Sequence, residues 1–280
     1  NGYHFFKYVR EKHPRRKAFY VINEKSPDRA KVERLGNVLI QRSKKHIFYS
    51  LLASRLINTH HSEYLLPTRD DDFNMYRGVR VFLQHGIIAQ KNVVPAYGRQ
   101  TTQEKPTECF LVTSDLEKKI IVEDYGYQPH QVHVVGFARF DGLFENDVKK
   151  QSKLLIMPTW RDTLGNHERF LKSDYYRSWH NLLMDVTFRQ VVSQSGLTIS
   201  FILHPNMVQF KKYFEVEGIN LIRQEDLDVQ KSIKQASVMI TDFSSVAWDF
   251  SFLKRPVLYF LFDFESLVGN RQPHIDFQTQ

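Results

Sequence analysis

Short apolar runs separated by polar, helix-like stretches recur along the whole chain, and this rhythm is its main structural signal. β-rich runs stand at Ala18–Ile22, Asn37–Ile40, Val79–Leu83, Cys109–Val112 and Val132–Val135. Between them, His46–Asn58 is apolar-rich and helix-like, and Ser114–Gly126 carries helix punctuation. Ser114 stands where an N-cap accepts from first-turn amides, Glu117 follows at the capping-box position, and Gly126 supplies a stop. The second half repeats the pattern with strand Leu154–Met157, a long helix within Asp174–Gln194 ended by Gly196, and strand Thr198–Leu203. Strand Ile219–Ile222, helix Val229–Ala236, strand Val238–Ile240, helix Ser245–Leu253 and strand Val257–Phe262 complete it. Glu225, Asp226 and Asp228 precede a helix, where acids favour the dipole.

Strands alternating with helices predict parallel sheets covered on both faces, an α/β architecture. The polar stretch Phe144–Ser152 breaks the rhythm midway. Two Rossmann-like domains are therefore expected, residues 1–146 and 147–280, their sheets facing across a cleft. No internal repeat or low-complexity segment interrupts this reading. With 42% apolar and 25% charged residues, the 280-residue chain has a globular composition. Disorder, collagen and coiled coil are excluded as descriptions of the whole.

Charge adds a direction to this picture. The net charge is +8, yet residues 1–50 hold 13 Lys/Arg against 4 Asp/Glu, a surplus of nine. An anionic surface, lipid or polyphosphate, is expected to meet the N-terminal part first, at Arg15, Arg16 and Lys17. The plain alternative is a solvated basic face. A single cysteine, Cys109, forbids an intrachain disulfide and fits a reducing compartment. No apolar run approaches the ~20 residues that span a bilayer, and no basic-then-apolar leader is visible. Beginning at Asn1 rather than Met, the chain reads as a piece of something larger.

In open parallel sheets ligands bind outside the carboxyl ends of strands. Four of those ends are polar and unusual: Gln84-His85-Gly86, Pro158-Thr159-Trp160-Arg161-Asp162, His204-Pro205-Asn206 and Thr241-Asp242-Phe243-Ser244-Ser245. The last three are expected along one edge of the C-terminal sheet, with His85 facing them from the other domain. Thr241–Ser245 at a strand-to-helix turn offers backbone amides and two hydroxyls suited to phosphate; otherwise Ser244 is simply an N-cap. Arg161 is either a bidentate phosphate ligand or an ion pair with Asp162. His204, fixed before Pro205, is a phosphate donor or a histidine satisfied by backbone. His85 before Gly86 permits close backbone approach and offers an imidazole whose ordinary pKa suits proton transfer.

Other features are weaker. Asp70-Asp71-Asp72 has the chemistry of a Mg²⁺ or Mn²⁺ site but reads better as a solvated loop after Pro67. His60 and His61 are adjacent and unsupported, and no zinc spacing is present. Dinucleotide, Walker A and serine-hydrolase signatures are absent, so hydride transfer, P-loop hydrolysis and serine hydrolysis lose ground.

Taken together these residues resemble the CDP-glycerol:poly(glycerophosphate) glycerophosphotransferase family, which builds teichoic acids and related phosphate-linked capsules. The likeness runs from Asn1–Tyr8 through LQHG at Leu83–Gly86, Val135–Asp141, PTWRD at Pro158–Asp162 and HPN at His204–Asn206. It continues through TDFSS at Thr241–Ser245, Trp248–Phe250, Arg255–Phe260 and the Asp263 region. One departure is Arg271-Gln272-Pro273, where the family often has Arg-Gly. The resemblance implies a GT-B fold of two Rossmann-like domains.

It also implies transfer of glycerol phosphate or ribitol phosphate from a CDP-alditol to the hydroxyl end of a polymer, with release of CMP. By resemblance, His85 is the base, and His204, Arg161, Thr241, Asp242, Ser244, Ser245 and Arg271 are candidates around the donor diphosphate. No cofactor or metal is expected. The expected partners are the CDP-alditol, a lipid-linked polyol-phosphate or saccharide acceptor, and an anionic membrane surface met through Arg15–Lys17, not nucleic acid. The expected location is cytoplasmic and peripheral at the inner face of the cell membrane. Two rivals remain: a GT-B nucleotide-sugar glycosyltransferase of cell-surface polysaccharide synthesis, and a basic nucleic-acid-binding module, for which no reading motif is present.

Overall fold

All strand pairings among the described residues are parallel. The structure, a computed structural model, describes residues 1–60, 65–67, 75–88, 92–99, 107–145, 148–161, 163–265 and 274. It comprises two units, Asn1–Gly142 and Leu143–Gln280. The N-terminal unit holds β1 (Tyr20–Ile22) and β2 (Val38–Ile40) as a two-stranded sheet. A separate four-stranded sheet runs in sequential order through β3 (Arg55–Asn58), β4 (Val79–Phe82), β5 (Cys109–Val112) and β6 (Val132–Val134). The C-terminal unit contains β7 (Lys153–Met157), β8 (Thr198–Leu203), β9 (Ile219–Arg223), β10 (Val238–Thr241) and β11 (Val257–Tyr259). Its sheet order is β11-β10-β7-β8-β9.

Two expected helices are divided. His46–Asn58 separates into a helix, Lys44–Leu52, and strand β3. Ser43 Oγ caps the helix by accepting from His46 N–H, and Ala53 then turns extended with ψ 125°. Gly78 explains the tight return: a Cβ there would lie 2.6 Å from the Ala53 carbonyl oxygen, so β4 starts only where a side chain is absent. The Asp174–Gln194 helix breaks at Asp185, whose ψ is 122° and whose side chain accepts from Phe188 N–H. Asp185 therefore starts a second helix instead of continuing the first.

Each unit has its own core. β7 and β8 are buried over nearly their whole length, as strands covered on both faces must be. Against them pack Trp179, Phe170, Phe210 and Phe214. Phe170 and Phe210 stack at 4.0 Å with planes 5° apart. Truncating such an aromatic to alanine costs about 3–5 kcal/mol. In the N-terminal unit, Phe82, Phe110 and Val132 from the sheet meet Ile120 and Ile121 from the helix Asp115–Glu123.

Candidate active site

The C-terminal sheet reverses direction between β7 and β10. From β7 the chain steps outward to β8 and β9 on one side, then returns to β10 and β11 on the other. Such a reversal leaves a crevice outside the carboxyl ends of the two central strands, the usual ligand position in this architecture. Here β7 leads into Pro158–Arg161 and β10 into Asp242–Ser245.

Arg161 ties these ends together. Its Nη2 donates to Asp242 Oδ2 at 2.8 Å and to Asp263 Oδ1 at 3.1 Å, and its Nε donates to Asp263 Oδ2 at 2.9 Å. Its Nη1 donates to the Thr159 carbonyl at 2.8 Å. Asp242 is fully buried, and its other oxygen accepts Thr159 N–H at 2.8 Å. The guanidinium also lies over the rings of Tyr175 and Phe243. Burial opposes the arginine's charge, but Asp242 and Asp263 outweigh it and the net pKa is raised. Burial likewise pushes the Tyr175 phenol well above its ordinary value, with Asp242 adding to the shift.

This geometry corrects three expectations. Arg161 does not present a free fork to phosphate, because the fork is spent on Asp242 and Asp263; Asp162 lies outside the described residues. Asp242 has both oxygens engaged by Thr159 N–H and Arg161, so it positions strand ends instead of binding phosphate. Thr241 is buried, and its hydroxyl donates to the Met157 carbonyl at 2.6 Å, stitching β10 to β7.

Three other candidates in this unit keep accessible chemistry. His204 ends β8, and its Nδ1 accepts Asn206 N–H at 3.2 Å. A backbone N–H can only donate, so the proton of the neutral ring sits on Nε2. The ring stacks on Trp160 at 5.8 Å with planes 21° apart. Ser244 and Ser245 are half-buried before the helix Val246–Phe252. Ser244 Oγ accepts Val246 N–H at 3.4 Å, and Ser245 makes no side-chain cap bond.

His85 is held differently, in the N-terminal unit. It is exposed and follows Gln84, which takes the left-handed conformation with φ 56°. Asn1 Nδ2 donates to the carbonyls of Leu83 and Gln84 at 3.0 and 2.7 Å. Arg139 Nη1 donates to the His85 carbonyl at 3.1 Å. The His85 ring stacks on His60 at 4.9 Å with planes 20° apart, and Tyr97 lies 5.6 Å away.

The sequence profile of the CDP-Glycerol:Poly(glycerophosphate) glycerophosphotransferase family matches residues 1–280. The chain belongs to that family. It is 28% identical to the minor teichoic acid biosynthesis protein GgaB of Bacillus subtilis (strain 168), over 94% of this chain. It spans 30% of GgaB's length. Among solved structures it is similar to the wall teichoic acid polymerase TagF, with TM-score 0.65 and 15% identity over 98% of this chain and 70% of that one. A TagF variant soaked with CDPG matches at TM-score 0.64. A putative UDP-N-acetylglucosamine 2-epimerase from Listeria monocytogenes matches at TM-score 0.58 and 14% identity, over 91% of this chain and 75% of that one. These structural likenesses show the expected GT-B-like α/β fold.

In this member of the family, Arg271, the Asp70–Asp72 run and His61 lie outside the described residues. Among the described residues, no group of three or more His, Cys, Asp or Glu side chains is placed to hold a metal ion. Sequence reading missed two contacts. The Asp263 region belongs to the family likeness, but that Asp263 is the bidentate partner of Arg161 from 102 residues away leaves no sign in local spacing. His60 was set aside for want of support, and its support is His85 itself.

Proposed function

We propose that this chain performs the transferase step, moving glycerol phosphate or ribitol phosphate from a CDP-alditol to the hydroxyl end of a teichoic-acid-like or capsular polymer. The observation that carries this reading is the family match over all 280 residues. The acceptor oxygen bonds to the β-phosphorus, the bond from that phosphorus to the oxygen of CMP breaks, and CMP leaves. The hydroxyl proton passes to His85, since imidazole is the side chain best matched to a general base near neutral pH. His204 Nε2–H and the Ser244–Ser245 turn bind the diphosphate and meet charge on departing CMP, as phosphoryl transfer requires. Arg161 is already outnumbered by two carboxylates, so it shapes the crevice and leaves neutralisation to these groups and to Arg271. No cofactor enters this reading.

The same fold serves UDP-sugar chemistry elsewhere, so the fold alone does not choose the donor. A panel of CDP-glycerol, CDP-ribitol and UDP-sugars, each with a polyol-phosphate acceptor, makes the choice. CMP release from a CDP-alditol is expected. Turnover of a UDP-sugar with none of either CDP-alditol would replace this reading with the glycosyltransferase one.

The lipid-linked acceptor and a peripheral position at the inner face of the membrane belong to the same proposal. Lys12, His13, Pro14, Arg15 and Arg16 line a surface pocket. Just beyond Lys17, Phe19 packs on Tyr49 at 4.2 Å. Tyr49 lies on the helix Lys44–Leu52, which exposes Ile47, Phe48, Leu51 and Leu52. A cationic, apolar face of this kind suits an anionic bilayer. Co-sedimentation with anionic vesicles is expected to fall with salt and on charge reversal of Arg15, Arg16 and Lys17. Equal binding to neutral vesicles would reduce the patch to a solvated face, and steep salt-dependent binding to random DNA would favour the nucleic-acid module.

A further inference from the structure

Glu117 lies outside every motif that carries the family likeness, yet its carboxylate grips the turn that bears His85. The side chain is only 2% exposed. Its Oε1 accepts Ile88 N–H at 2.9 Å. Its Oε2 accepts both Thr113 N–H at 2.7 Å and the Thr113 hydroxyl at 2.9 Å. Ser114 Oγ accepts Glu117 N–H at 3.1 Å, but the reciprocal bond of a capping box goes to Thr113 and Ile88. The carboxylate thus joins the end of β5 to a point three residues beyond His85.

The rest of the turn shows why that link matters. Gln84 holds a left-handed backbone that a side chain with a Cβ disfavours. Its amide is anchored, with Nε2 donating to the Leu111 carbonyl at 2.6 Å. Asn1 and Arg139 fix the carbonyls of Leu83, Gln84 and His85. These contacts all act at or before His85. Of the anchors named, Glu117's alone acts after it. The backbone that carries the imidazole is thus anchored on both sides.

We propose that Glu117 is a positioning residue for His85, holding the Leu83–Ile88 turn in the geometry that proton abstraction from the acceptor needs. This rests on the reading of His85 as the base. An ionised carboxylate is acceptor-only, which suits three converging donors. An amide in its place turns an NH₂ group toward Thr113 or Ile88, and one side of the turn is released.

The test uses the full chain, with three measurements on each variant: CMP release from CDP-glycerol, donor affinity, and hydrogen exchange at the Ile88 amide. Glu117→Gln is expected to lose CMP release by about 10²-fold, the scale of a 1 Å misplacement. Donor affinity is expected to stay within about twofold of the parent while Ile88 exchanges faster. Glu117→Asp keeps the charge but is one methylene too short to span both partners, and it decides the matter if the glutamine variant does not fold. Unchanged CMP release in either folded variant overturns the proposal, as does a loss of donor affinity that accounts for the lost turnover. Normal turnover by His85→Ala would instead overturn the reading beneath it. The Ile88 exchange measurement tells these two failures apart.

Discussion

The two units place reactive side chains by different means. In the C-terminal unit, topology gathers the residues: the strand order reverses between β7 and β10, and a half-buried arginine knots β7, β10 and the chain after β11 through two carboxylates. In the N-terminal unit the four-stranded sheet runs in sequential order without a reversal. There the turn that bears His85 is held by hydrogen bonds that Asn1 and Arg139 donate to its carbonyls and by one that Glu117 accepts from Ile88 N–H. A charge knot fails as a whole when one member is lost, whereas a turn held by separate hydrogen bonds shifts locally. Damage should therefore spread in the C-terminal unit and stay confined in the N-terminal one.

The sharpest contrast is between the two histidines. His85→Ala is expected to lose about 10²–10⁴-fold in CMP release, the usual contribution of a general base, while still binding donor. His204→Ala is expected to weaken donor binding about 10–100-fold, the worth of a hydrogen bond to a charged group. A donor titration and a turnover assay on each variant separate these outcomes, and a His85→Ala protein unable to bind donor would erase the contrast. Next in size is Asp242→Asn, which leaves a largely desolvated guanidinium, its side chain 11% exposed, short of one partner. A loss of about 3–5 kcal/mol in the stability of the C-terminal unit is expected, read by urea unfolding. A loss under about 1 kcal/mol would mean the knot is ornamental.

Ser244→Ala with Ser245→Ala comes third, with donor affinity expected to fall about tenfold. Full affinity measured by calorimetry would remove the hydroxyls from the phosphate site. The smallest effect belongs to His46, which is fully buried in the N-terminal unit. Its Nδ1 accepts Arg42 N–H, and its Nε2–H donates to the Leu65 carbonyl. Burial lowers its pKa from 6.5, so the unfolded state binds the proton more readily. Its contribution is intact above 6.5 and is lost as pH falls below that value through the lowered one. Thermal midpoints should drop across this window, and His46→Gln should flatten the drop. An unchanged profile in His46→Gln would exclude this residue as the cause.

Much of the architecture was readable because its strands are short apolar runs with polar punctuation between them. Ser114, Gly126 and Gly196 punctuate the chain as expected, with Gly126 and Gly196 at φ 75° and 65°. What failed were boundaries inside longer apolar stretches. Arg55–Asn58 continues the apolar character of the preceding helix, and it becomes a strand only through pairing with Val79–Phe82. Asp185 sits within a helical period, yet its side chain caps a new helix. In the candidate active site, the polar strand ends were visible but their partners were not. Asp162 was the neighbour to consider for Arg161, whereas Asp242 and Asp263 lie 81 and 102 residues away. Spacing reports contacts along a helix or strand, not those that a crossover brings together.

The arginine knot also constrains how sequences of this family can diverge. Losing either aspartate leaves a half-buried cation short of a partner, and losing the arginine leaves two carboxylates with no cation between them. Each single step passes through a weakened protein, so changes at positions 161, 242 and 263 should be inherited together or not at all. A relative with an uncharged residue at the position of Asp242 or Asp263 should also have replaced the arginine. Divergence within the family should then be written in the residues surrounding these three, with the knot itself passed on intact.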